Sequence, residues 1–155
     1  MDKVKLEIIR SQLERQLLWI ERIYENLQER QEYARSAPLI YAESIAYQLH
    51  NLYSAIEDLM KLVAKAFENH LEDMSRWHWE LIDRMTLEIA GVRPALLQKE
   101  TAVYLHKLRS FRHFFRHAYT VELDRDELLR NLQTAEAVRP LLRRDVQTFL
   151  QQFEE

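Results

Sequence analysis

The chain has 155 residues, 47% hydrophobic and 30% charged, with a formal net charge of −3. This is the composition of a globular protein long enough to bury its own core, and it excludes a disordered or fibrous chain. The lack of cysteine excludes disulfides and thiolate metal sites, and the acidic balance confines any nucleic-acid binding to a local patch.

One domain over residues 1–155 is expected at this length. No apolar run approaches membrane-spanning length, and Met1-Asp2-Lys3-Val4-Lys5 lacks a signal-peptide pattern, so a cytoplasmic protein without membrane contact is expected. A single glycine and three prolines leave few places to turn, which predicts an all-α fold with long helices. The first helix is predicted from Asp2 to Tyr33, with an apolar stripe of Leu6, Ile9, Leu13, Leu17, Ile20, Tyr24 and Leu27. Ser36-Ala37-Pro38 breaks it. A second helix is predicted from Pro38 to His70, with Tyr41, Ile45, Leu49, Leu52, Ile56, Leu59, Val63 and Phe67 as its stripe. Two such helices, each about 45 Å long and joined by a short turn, predict an antiparallel hairpin.

Met74-Ser75 marks the start of a shorter helix carrying Trp79, Ile82, Met85 and Ile89, with Ser75 as its cap. Gly91 is expected to end it and Pro94 to open a fourth helix that reaches Tyr119. After a break at Thr120–Leu123, Asp124 caps a last helix toward Phe153, with the stripe Leu128, Leu132, Ala135, Leu142, Val146 and Phe149. Pro140 is expected to kink or interrupt that helix.

The chemistry-bearing stretch is Arg112-His113-Phe114-Phe115-Arg116-His117-Ala118-Tyr119. No acidic residue occurs between Thr101 and Val121, so Lys107, Arg109, Arg112 and Arg116 have no neutralising near neighbour in sequence. Such a cationic window suits phosphate, and its histidines can move protons near pH 7. On a helix, Tyr104, Leu108, Phe111 and Phe115 share the core face, while His106, Ser110, His113 and His117 gather opposite. Arg112 and His117 stand about 140° apart on a regular helix. Unwinding at the helix end would bring them together, and so would a second copy across a two-fold axis.

These residues admit other readings. A bare Arg-x4-His is common in an arginine-rich chain, and a basic helix face is often only solvated. His113 and His117 have a zinc-compatible spacing with His106 on the same face, but no carboxylate follows nearby to complete the set, and the arginines would repel a cation. His50, His70 and His78 read as surface or boundary histidines, and Trp19, Trp77 and Trp79 as packing or interface residues. There is no Gly-rich phosphate loop and no dinucleotide fingerprint.

The chain resembles the HepT-like toxins of the HEPN superfamily, whose signature is Arg-x4-His-x-Tyr near the end of a late helix. Arg112, His117 and Tyr119 match it, and His113 stands where a polar residue, most often asparagine, follows the arginine. The resemblance implies a HEPN-like helical bundle of two long antiparallel helices plus shorter ones, dimeric, with a composite cleft between the two motif helices. It implies a metal-independent endoribonuclease that needs no cofactor and cleaves tRNA or mRNA. It also implies a type VII-like toxin–antitoxin pair, in which a minimal nucleotidyltransferase antitoxin attaches AMP to Tyr119. Arg112 and His117 would be catalytic, His113 would support them, and Arg109 and Arg116 would bind RNA phosphates. The alternatives are a non-catalytic HEPN module that binds nucleotide or RNA in the same cleft, and a purely structural helical dimer.

Overall fold

The computed structural model describes residues 2–35, 38–68, 80–117 and 123–154, with the backbone alone for Phe114, Arg116 and His117. The expectations placed on His70, Met74, Ser75, Trp77, His78, Trp79 and Tyr119, and on the side chains of Arg116 and His117, lie outside the described residues.

Among the described residues the chain is all-α, with five helices. They are α1 (Lys3–Arg30), α2 (Leu39–Phe67), α3 (Leu81–Met85), α4 (Lys99–His117) and α5 (Arg125–Gln151). The Asp2 carboxylate caps α1 by accepting from the Val4 amide at 3.1 Å. Its predicted stripe is the face it buries: Ile9, Leu13, Ile20, Tyr24 and Leu27 all enter the core. A 3-10 turn at Gln31–Tyr33 ends the helix, and Pro38 occupies the cap position of α2. Polar contacts fix the antiparallel hairpin at several levels. Gln16 reaches the Ala55 carbonyl, Asn26 reaches Gln48, and Arg30 reaches Ser44.

The central helix is α2. It buries Ile45, Leu49, Leu52, Ile56, Leu59 and Val63 along the predicted stripe, and Ala42, Ala46, Tyr53, Met60 and Ala64 beside it. A helix apolar over so wide an arc must be covered on several sides. It contacts α1, α3, α4 and α5. Glu21 of α1 ion-pairs with Arg139 and Arg143 of α5, and Arg10 pairs with Glu154, so α5 runs antiparallel to α1. The four long helices therefore run up, down, up and down about one core.

The segment between α2 and α4 departs from expectation, for tertiary reasons. The short helix ends at Met85 rather than reaching Ile89, as Thr86 and Leu87 donate to the Asp83 and Arg84 carbonyls three residues back. Gly91 does not cap it. With φ +75 it occupies a tight turn closed by paired Ile89 and Arg93 backbones, in a conformation that favours glycine. Nor does Pro94 open α4. The amides of Leu96 and Leu97 both donate to the Met85 carbonyl, and their side chains are buried, so the helix starts only at Lys99. Buried Arg93 ties this segment together by donating to the Leu87, Arg84 and Pro94 carbonyls while pairing with Glu68 at the end of α2.

Asp124 caps α5 as expected, accepting from the Asp126 and Glu127 amides. Of the kink or interruption expected at Pro140, the interruption does not occur: α5 is continuous across it. The proline removes the amide that would serve the Glu136 carbonyl. One residue earlier, the Ala135 carbonyl accepts the buried Tyr24 hydroxyl at 2.7 Å, linking α1 to the bend-prone turn. No described helix is long and apolar enough to cross a membrane.

Candidate functional site on α4

The start of α4 is set from another helix. The buried Asp145 carboxylate of α5 accepts from the Gln98 amide at 3.0 Å, a donor that an uncapped helix leaves orphaned, and from the Thr101 hydroxyl at 2.6 Å. Arg144 braces the other oxygen of Asp145 at 3.0 Å. Of the predicted apolar face, Leu108 and Phe111 are buried and Tyr104 and Phe115 pack at the edge of the core, while Leu105, which was not part of that prediction, is fully buried beside them.

Arg112 lies on the flank of that face, against α2. Its Nε donates to the Ser54 hydroxyl at 3.1 Å, and its guanidinium carbon stands 5.7 Å from the centre of the Tyr53 ring. One turn earlier is half-buried Arg109. Both arginines act on the Tyr53 hydroxyl. Burial is the largest influence there and drives the pKa well above the usual tyrosine value, with Glu57 adding to the rise, while Arg109 and Arg112 pull it down. The phenol is therefore a neutral donor at physiological pH, lying among two guanidinium groups and the Glu57 carboxylate. Glu57 is itself buried and bridged to Lys61 at 3.1 Å. Farther along the same seam, His50 of α2 packs against Phe115, with ring centres 5.8 Å apart.

The other predicted residues are placed differently. His113 is exposed, on the solvent side of α4. The structure thus brings Arg109 and Arg112 together at the α2 seam and leaves His113 off it. The backbone stays helical through His117, so positions 112 and 117 diverge by about 140° around the axis. His106 is held by Asp83 of α3 at 2.7 Å, a strut between the two helices. Among the described residues no three His, Asp or Glu side chains gather as a metal site. Trp19 is exposed on the outer face of α1, with the Arg22 guanidinium 4.7 Å from its ring centre.

Tyr53, Ser54 and Glu57 were not singled out by sequence reasoning, and His50 was read only as a surface or boundary residue. A signal existed. Ala46, Tyr53, Glu57, Met60 and Ala64, sharing Leu49 with the main stripe of α2, form a second seam beside it at three- and four-residue steps. A tyrosine and a glutamate inside an apolar seam mark the place where that helix meets something charged.

Neither the search of curated proteins nor that of solved structures found a match. The family model described as HepT-like protein matches residues 44–153, more than two thirds of the chain, from the first turns of α2 through α5 and including all of α4. By that match the chain belongs to the HepT-like family of the HEPN superfamily.

Proposed function

We propose that this HepT-like protein is a metal-independent endoribonuclease toxin that acts as a homodimer. The observation that carries the reading is Arg112. It belongs to the pattern Arg112-x4-His117-x-Tyr119, it sits on the late helix of a HepT-like chain, and its guanidinium is braced by Ser54 and Tyr53. RNA brings its own nucleophile, so the protein need only manage protons and charge. His117 would take the proton from the 2′-hydroxyl as that oxygen attacks the adjacent phosphorus. Arg112 would stabilise the charge that builds on the phosphoryl oxygens. The 5′-oxygen would leave, taking a proton, and the products would be a 2′,3′-cyclic phosphate end and a 5′-hydroxyl end. His113 would be a second proton carrier, and Arg109 and Arg116 would hold flanking phosphates.

The helical path through His117 favours a composite site. Within one chain positions 112 and 117 stand about 140° apart around the helix axis, whereas two antiparallel motif helices across a two-fold axis can present one residue from each copy. A minimal nucleotidyltransferase antitoxin that attaches AMP to Tyr119 would complete a type VII-like pair.

The test is RNA cleavage by purified protein in EDTA. Wild type is expected to cut and to leave 2′,3′-cyclic phosphate ends. Arg112→Ala and His117→Ala are each expected to lose roughly two to four orders of magnitude of rate with helicity intact. Binding without cleavage would favour the non-catalytic HEPN module. Cleavage lost in EDTA and restored by zinc would overturn the mechanism.

A further inference from the structure

We infer that Ser54 is a positioning residue for Arg112, holding the guanidinium so that it meets a phosphate through its two terminal nitrogens. A guanidinium offers a side-on edge, made of Nε and one Nη, and an end-on edge, made of both Nη atoms. Either edge can grip a phosphate with two parallel hydrogen bonds. At Arg112 the Ser54 hydroxyl occupies Nε at 3.1 Å, and this is the arginine's one hydrogen bond to a described residue. The side-on edge is therefore taken by the protein, and the end-on edge remains for an anion.

The plane of the group is restrained as well. Tyr53 is buried, and its ring lies 5.7 Å from the Arg112 carbon, so the aromatic face forms a floor beneath the cation. The floor and the hydroxyl come from adjacent residues of α2, the best-buried of the four long helices. A long, rotamer-rich side chain is thus held in one orientation before substrate arrives. Its ordering cost is met in folding rather than at the reacting phosphate. Ser54 need not touch RNA to matter. It acts through the direction in which Arg112 points.

The kinetic consequence of this inference rests on the ribonuclease reading; the geometry does not. The experiment therefore has two arms, run on full-length wild type, Ser54→Ala and Ser54→Thr. The first arm follows exchange with water of the Arg112 Nε proton by nuclear magnetic resonance, the signal being identified by its loss in Arg112→Lys. Wild type and Ser54→Thr should protect that proton, and Ser54→Ala should speed its exchange by about tenfold or more, as expected for loss of one hydrogen bond. Unchanged exchange in Ser54→Ala overturns the positioning role. The second arm measures steady-state RNA cleavage. In Ser54→Ala, kcat should fall about tenfold while KM stays within about twofold, and Ser54→Thr should recover most of the loss. A pure rise in KM, or equal losses in Ala and Thr, overturns the role as well. A wild-type protein that protects the proton but cuts no RNA refutes the ribonuclease reading and leaves the positioning of Arg112 standing.

Discussion

Arg112 shows how little a residue's neighbours in sequence say about its environment. Its flanking residues are a serine–phenylalanine pair before and a histidine–phenylalanine pair after, yet its partners come from residues 53 and 54. Tyr119 belongs to the same scale. On a continued helix it would share the side of Arg112, seven positions away and two turns on. An AMP attached there would bring a phosphodiester charge and a purine beside the arginines. The charge would compete for the groups proposed to hold RNA, and the bulk would fill the cleft. Tyr119→Phe is therefore expected to keep most of its cleavage activity and to resist inactivation by a partner nucleotidyltransferase with ATP. Intact mass and RNA cleavage after that incubation decide the matter. A Tyr119→Phe protein that still gained AMP and lost activity would place the regulatory site elsewhere.

At the scale of the element, α4 is a helix whose beginning is built by another helix. Asp145 caps it across the bundle, and no residue between Pro94 and Gln98 announces that start. Asp145→Ala would leave the Gln98 amide and the Thr101 hydroxyl without their acceptor and unsettle Arg144. It is expected to cost about 1–3 kcal/mol, read as a lower urea midpoint, with amide exchange at the first turn of α4 rising most. An unchanged midpoint would show that the cap does not stabilise α4. The same region explains what the sequence made legible. The stripes of α1, α2 and α5 are periodic over many turns, so Ile9 to Leu27, Ile45 to Val63 and Leu128 to Phe149 could be read as core directly. Asp124 could be read as a cap because it serves its own helix, whereas Asp2, expected as the first helical residue, proves to be the cap of α1. Between Leu81 and Gln98 the decisive bonds are tertiary: Arg93 to Glu68, Leu96 and Leu97 to Met85, and Gln98 to Asp145. Local signals at Gly91 and Pro94 were therefore misread as helix ends. At the candidate site, Arg109 and Arg112 were legible as a charge pattern, whereas Ser54 and Tyr53 were not. Their meeting with Arg112 depends on which seam of α2 faces α4.

For the whole molecule, the bundle places the motif helix beside the best-buried of its four long helices, with its described portion fixed at one end by Asp145 and along one flank by α2. That is a rigid support for the proposed site, in which two copies would each contribute a residue. Light scattering at micromolar concentration should give the mass of a dimer. The sharper measurement is complementation between two inactive proteins. Arg112→Ala and His117→Ala, each purified alone, are expected to leave RNA intact in EDTA. Mixed under conditions that allow subunits to exchange, they should form heterodimers in which one site regains an intact arginine from one copy and an intact histidine from the other. The account predicts that the mixture recovers a substantial share of wild-type cleavage, with 2′,3′-cyclic phosphate ends. A mixture that exchanges subunits yet stays as inactive as its components would contradict it.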